Sequence, residues 1–375
     1  MVEIATKLVE FDKNSQKIIR RWFTIRSLSE STAQTYLSYI TQWLNFTGLT
    51  LFSIYDIAQK EQFEQVPLNQ RKLTQHILDY KYEIDNSEYA QTTKNIKMNV
   101  IYSFCRAFEF EIPKIRLRKA VCESKNYEKP LTKQEILLLM NNNSLREKAF
   151  VVLQATSGMS SKEARNISIY QLLTVINNEL NTEYQTVEEL FQNKEKILQR
   201  KAYEIKLVRS KVNYRYITFI NNECMKHLLN YIDFRRKQTD NKQLPNDLNA
   251  PLFITNKGTP MDSKAVTAMY REMGKKVGFT SVENTYRFWR SHNVRKYFYN
   301  IVEDCVGSEY ADEWLGHVPS KVTMAYARRE FRMKQAYMKC LPYLALEENM
   351  SEVYSKINDL EEEIKRLKLK YEEQM

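Results

Sequence analysis

A chain of 375 residues, 43% hydrophobic and 12% aromatic, is long enough for two domains with cores of their own and is not a disordered polymer. Only 7 Gly and 8 Pro argue against a turn-rich all-β protein and for a mainly helical one. A net charge of +11 and a pI near 9.1 make nucleic acid the expected acidic partner, because phosphate neutralisation by Lys and Arg drives non-specific binding.

The first residues, MVEIATKLVEFDKNSQK, lack the basic start, apolar run and small-residue cleavage site of a secretory signal. No apolar run approaches the roughly 18 residues that span a bilayer. The expectation is a cytoplasmic, DNA-associated protein with no membrane partner. Residues 15–116 then read as consecutive amphipathic helices. In SLSESTAQTYLSYITQWLNFTG, Ser29 and Ser31 are cap candidates. Tyr36, Leu37, Ile40, Trp43 and Leu44 form the apolar face, and Gly48 is placed for a C-terminal stop. A later helix, SEYAQTTKNIKMNVIYSFCRAFEF, is expected to bury Ile96, Val100, Ile101 and Phe104. Its other face carries Thr92, Thr93, Lys94 and Lys97, small polar and basic groups suited to phosphate contact.

The stretch 113–130, PKIRLRKAVCESKNYEKP, is basic and lacks helical periodicity. It reads as a connector lying on an anionic surface, with Arg116, Arg118 and Lys119 as further DNA contacts. LTKQEILLLM opens a new helix with a capping box from Thr132 to Glu135 and a staple between Leu131 and Ile136. YEIKLVRSKVNYRYITFI, 203–220, alternates on both sides of a turn near Val212–Asn213, as a β-hairpin does. Helices resume at NECMKHLLNYIDFRRK and DSKAVTAMYREMGKKVG.

Near the end, Met350, Val353, Ile357, Leu360, Ile364, Leu367 and Tyr371 repeat at steps of three and four, a heptad seam that favours a parallel dimer. The domain plan is 1–116 helical, 117–130 linker, 131–345 a second domain, and 346–375 a coiled-coil-like helix. The fold class is mainly α with a small antiparallel β-sheet.

The five cysteines, Cys105, Cys122, Cys224, Cys305 and Cys340, are scattered without metal-ligand spacing and are expected to be reduced and mostly buried. There is no GxxxxGK[ST] loop and no HExxH, so no cofactor and no metal is expected. What remains is RSHNVRKYF, with His292 and Arg295 at i and i+3 on one helix face, then LGH with His317, then Tyr326 nine residues on.

That order resembles the tyrosine recombinase, or phage-type integrase, family, whose catalytic domain carries HxLRHTF and then LGH followed nine residues later by the nucleophile. PLTKQEILLLM, ATSGMSSKEARNISI and the hairpin with its lysine match the family's LT-x-E-E-I opening, TGLR-x-SE turn and β2–β3 hairpin in order. The N-terminal helices look like its SAM-like core-binding domain, and QAYMKCLPYLAL is similar to the end of many archaeal integrases. The resemblance spans about 15 to 345 and is strongest over 285–330.

It makes the first domain DNA-binding and the second catalytic, and implies a two-domain clamp on duplex DNA, with four protomers exchanging strands on two sites through a Holliday junction. Integration or excision of a mobile element is the favoured use, and dimer resolution shares the chemistry. Tyr326 would be the nucleophile; its phenol, of pKa about 10, needs cationic surroundings. Arg295 would clamp phosphate oxygens, His292 and His317 would donate to them or shuttle a proton, and Lys211 would protonate the departing 5′ oxygen.

One departure stands out: the arginine of TGLR is Ser160 here. Three readings compete. Arg209, two residues before Lys211 on a strand, could supply the missing guanidinium. Arg165, five residues past Ser160, could do so if the turn were reshaped. Or the site is degenerate and the chain is a DNA-binding relative. Ser160 itself reads as an N-cap in a second capping box with Glu163.

Overall fold

The computed structural model describes residues 8–119, 130–209, 211–238, 247–280, 287–318 and 330–347, together with 360, 363, 364, 366 and 367. The chain divides into two units, 1–123 and 124–375, each with a hydrophobic core of its own.

The first unit is helical: α1 (Lys13–Ile25), α2 (Glu30–Thr47), α3 (Leu51–Phe63), α4 (Lys72–Asn86) and α5 (Gln91–Ala107). Asp12 starts α1 by accepting the amides of Asn14 and Ser15 at 3.0 and 2.9 Å. Ser29 caps α2, accepting from the Thr32 amide, while Ser31 lies inside the helix. Gly48 ends it at φ 69°, where a side chain would be strained. Trp22, Ile40, Trp43, Ile77 and Phe104 are fully buried around one core.

Helix α5 corrects the sequence reading in register. Val100, Ile101 and Phe104 are buried as expected, but Ile96 is 43% exposed and Lys97 only 4%. A lysine stem is apolar enough to lie inside, and the face of Tyr89, 3.4 Å from the ammonium, takes up the charge. Lys97 therefore faces the core and not a phosphate. Lys94 donates to the Asp85 carbonyl at 2.8 Å, Thr93 is half-buried and Thr92 is exposed.

After α5 the chain runs without regular structure, with Ile112, Ile115 and Leu117 packed on the core and Lys114, Arg116, Arg118 and Lys119 exposed. Asn95 donates to the Arg118 carbonyl at 3.0 Å. The first unit thus holds its chain beyond the expected linker start at 117, because Leu117 has a core to pack on. Residues 120–129 lie outside the described set, and Cys122 with them.

The second unit begins with α6 (Lys133–Asn141), whose Thr132–Glu135 capping box is formed. Helix α7 (Leu145–Ser157) is buried at every position from Ala149 to Ser157, as a helix surrounded by partners must be. Short helices α8 (Ser161–Arg165), α9 (Ile169–Leu180), α10 (Val187–Gln192) and α11 (Lys194–Leu198) lead to strand β1 (Ala202–Arg209). It pairs antiparallel with β2 (Tyr214–Asn221), in register from Ala202 opposite Asn221 to Arg209 opposite Tyr214. Then follow α12 (Asn222–Arg236), α13 (Ser263–Lys276), α14 (Ser291–Val306), α15 (Ser308–Trp314) and α16 (Glu330–Leu344).

Cys105, Cys224 and Cys340 are buried and Cys305 is partly so, all as free thiols. Among the described residues no helix is long and apolar enough to cross a membrane.

Candidate active site

Gly158 ends α7 in a left-handed turn at φ 67°, and a Cβ there would sit 2.3 Å from the Phe298 ring. Ser160 then caps α8 in a capping box with Glu163. The turn is held to its neighbours by Gln154, which is fully buried on α7. Its amide donates to the Met159 carbonyl at 2.9 Å and to the Ser291 hydroxyl at 2.7 Å, and its oxygen accepts from the Tyr270 hydroxyl at 2.7 Å. One buried amide therefore ties the start of α14 to α7, α8 and α13, and fixes where His292 and Arg295 lie.

Arg295 is 8% exposed. Its guanidinium donates to the carbonyls of Gly158 at 2.5 Å and Leu315 at 2.6 Å, and it lies 3.6 Å from the Glu163 carboxylate. Burial lowers its pKa, with Glu163 opposing. Arg209, the last residue of β1, donates to the carbonyls of Leu315 and Gly316 at 3.1 and 2.9 Å. Two guanidinium groups thus converge on one turn, and the charge of each disfavours the other. A phosphate is the group that would relieve this repulsion.

His317 follows that turn. Its Nδ1 meets the Asp312 carboxylate at 2.7 Å, and its backbone amide donates to the Asp312 carbonyl at 2.9 Å. Asp312 so orients the ring that Nε2 is left to meet a ligand. Gly316 sits at φ 65°, and a Cβ there would be 2.7 Å from the Tyr216 ring.

Arg209, His292, Arg295 and His317, from three separate segments, line one cavity of about 610 Å³ with Ser160, Ser161, Arg287 and Arg290. Burial, then the charges of Lys296, Arg290 and Arg295, holds the His292 pKa below its usual 6.5. This predicts a sign for its pH dependence. The unfolded chain takes up the His292 proton first, so the folded state loses stability as pH falls from about 6.5 through the lowered value. In His292→Gln the loss of unfolding free energy between pH 7 and 5 should be smaller than in wild type, by chemical denaturation without DNA. A phosphate ligand favours the protonated ring, so DNA affinity should rise over the same window by more in wild type than in His292→Gln.

The other expected residues lie elsewhere. Arg165 donates to the Met261 carbonyl at 3.3 Å and does not line the cavity. Lys211 is exposed in the hairpin turn, beyond the end of β1, so the two-residue strand spacing that would set it beside Arg209 does not apply. Tyr326, with the rest of 319–329, is outside the described residues. Sequence reasoning missed Arg287 and Arg290, spaced i and i+3 just ahead of His292, as well as Gln154 and Asp312. The run of arginines in YRFWRSH was the available signal for the first pair.

The model of the phage integrase family matches residues 129–333. No curated protein matches the chain. Among solved structures the chain is similar to the Tn1549 transposon integrase in complex with circular intermediate DNA, at 14% identity and TM-score 0.49, over 87% of this chain and 99% of that one. It is similar to a lambda integrase tetramer bound to a Holliday junction, at 13% identity and TM-score 0.49, over 81% and 77%. A third is the XerA recombinase, at 18% identity and TM-score 0.35, over 85% and 96%. With its matched segment filling more than half of the sequence, the chain belongs to the phage integrase family, the tyrosine-type site-specific recombinases.

Proposed function

We propose that the chain integrates or excises a mobile element by cleaving and rejoining duplex DNA through Tyr326. The phenolic oxygen gives up its proton to a histidine of the site and attacks phosphorus, the bond from phosphorus to the 5′ oxygen breaks, and that oxygen leaves with a proton as a hydroxyl. The 3′-phosphotyrosyl bond conserves the energy of the phosphodiester, so rejoining is the reverse step and needs no nucleotide. Arg209 and Arg295 neutralise the non-bridging oxygens, where negative charge builds up. His292 and His317 donate hydrogen bonds to them, and Lys211, at the hairpin tip, protonates the departing oxygen.

The observation that carries this reading is the convergence of Arg209, Arg295, His292 and His317 on one cavity. Thr92, Thr93, Lys94, Arg116, Arg118 and Lys119 in the first unit supply backbone contacts to DNA. Lys97 is withdrawn from that set because it is buried. Assembly is as four protomers on two DNA sites, and the protein resides on DNA in the cytoplasm. A second reading, a DNA-binding relative that does not cleave, draws on Ser160 in place of the family arginine. Arg209 on the cavity wall weighs against it.

A nicked suicide duplex tests the proposal. The protein should become trapped on DNA, and peptide mass should locate the nucleotide on Tyr326. An adduct on another residue, or salt-sensitive binding with no adduct, rejects it.

The heptad segment bears on assembly. Leu360, Ile364 and Leu367 are helical and 57%, 53% and 59% exposed. Deleting 350–375 should lower solution mass and reduce synapsis several-fold more than cleavage. A truncated protein equal to the full chain in mass and synapsis would remove this segment from assembly.

A further inference from the structure

Three side chains from distant segments meet away from the phosphate cavity, whose walls include none of them. Glu223 and His227 stand four residues apart on α12, hence on one face of that helix. Glu347 follows the end of α16. Their ligand atoms all lie within 4.8 Å of one another. Glu223 is 1% exposed and His227 8%. The Glu223 carboxylate accepts the backbone amides of Leu346 at 2.9 Å and Glu347 at 3.1 Å, so it already seats the chain leaving α16 on α12. Glu347 meets the exposed Lys226 ammonium at 3.1 Å.

Among the described residues no ammonium or guanidinium forms an ion pair with the Glu223 carboxylate. Among the described residues its hydrogen-bond donors are the two backbone amides. Nε2 of His227 lies 3.3 Å from a Glu347 oxygen, yet among the described residues it makes no hydrogen bond. A buried ring nitrogen whose nearest polar neighbour is a carboxylate outside good hydrogen-bond geometry is uncommon, since the great majority of buried polar atoms are hydrogen-bonded. Lys226, on the solvent side, answers for Glu347 alone, and a surface pair of that kind contributes little.

One imidazole nitrogen and two carboxylate oxygens are a donor set for Zn²⁺ and its first-row neighbours, which bind such atoms at roughly 2.0–2.2 Å. Mg²⁺ and Ca²⁺ prefer oxygen alone. Small side-chain rotations would bring the three atoms into such a shell and leave a position for water.

We propose that Glu223, His227 and Glu347 bind a first-row divalent metal ion, Zn²⁺ by best fit, which fastens the segment after α16 to α12. The ion has no part in strand cleavage. It holds the stretch from which the heptad segment departs, and it satisfies the buried imidazole and both carboxylates together.

Untagged full-length protein, stripped with a chelator and dialysed, tests this. Co²⁺ should bind at one equivalent with visible absorption bands, and Zn²⁺ should displace it. Zn²⁺ should also raise the thermal midpoint of wild type. In competition with a chromophoric chelator, Zn²⁺ affinity should fall tenfold or more in both His227→Gln and Glu347→Gln, each checked for wild-type circular dichroism. The cobalt spectrum of wild type needs no variant, and its absence overturns the proposal. So does Zn²⁺ affinity unchanged in either folded variant, which would place any bound ion elsewhere.

Discussion

Arg209→Ala should abolish covalent capture of a nicked duplex while DNA binding persists. A positioned arginine acting on a transferring phosphoryl group contributes about 10³–10⁵ in rate, so adduct formation should fall by about 10³ or more. Affinity, which depends on many phosphate contacts, should change less than tenfold. Stability should fall only modestly, by about 1 kcal/mol, for a structural reason. Arg209 donates to the carbonyls of Leu315 and Gly316, but Arg295 also serves Leu315, and the adjoining cavity has room for water to replace the lost donor. Arg209→Lys keeps a charge without the planar fork and should recover little. Arg165→Ala, whose side chain is bonded to Met261, should cleave within a few-fold of wild type. Single-turnover assays on the suicide duplex give all these rates. Capture by Arg209→Ala within tenfold of wild type would leave Arg209 as a brace for the turn and nothing more.

The two arginines differ in how far the sequence could reveal them. The boundaries of α2, α6 and α8 were legible because Ser29, Thr132, Ser160 and Gly48 act on their own backbone within a few residues. The hairpin was legible for the same local reason. Arg209 and Arg165 were not separable from sequence, because the choice depends on where β1 lies against the turn after α15, 106 residues away. Lys97 was misread because its burial rests on the ring of Tyr89, which periodicity does not register. Asp312 went unnoticed because its purpose appears only when His317 folds back onto it. The cluster of Glu223, His227 and Glu347 was hidden further still: a search for close metal-ligand spacing does not join residues 124 apart. Local chemistry reads directly from this chain; convergence of distant segments needs the fold.

Arg295→Ala should fail twice, in rate and in folding, and the pairing around it says why. Its guanidinium satisfies the buried carbonyls of Gly158 and Leu315 and faces the Glu163 carboxylate, whose side chain is 9% exposed. Removing it leaves that carboxylate buried without its cation, which costs about 3–5 kcal/mol. For a unit of this size the thermal midpoint should drop on the order of 10 °C, by differential scanning calorimetry. Adduct formation should fall by at least the factor expected for Arg209→Ala. Glu163→Gln in the same chain separates the two losses. Glutamine keeps an oxygen for the Ser160 amide, which Glu163 accepts at 2.7 Å, and removes the stranded charge. The double variant should therefore regain part of the lost stability and none of the lost cleavage. Equal stability in the single and double variants would mean that the Glu163 charge is not what Arg295 balances. A drop below about 1 kcal/mol in Arg295→Ala would mean that water satisfies both carbonyls. Recovery of stability without recovery of rate is the outcome required of a guanidinium that both closes the turn and holds the phosphate.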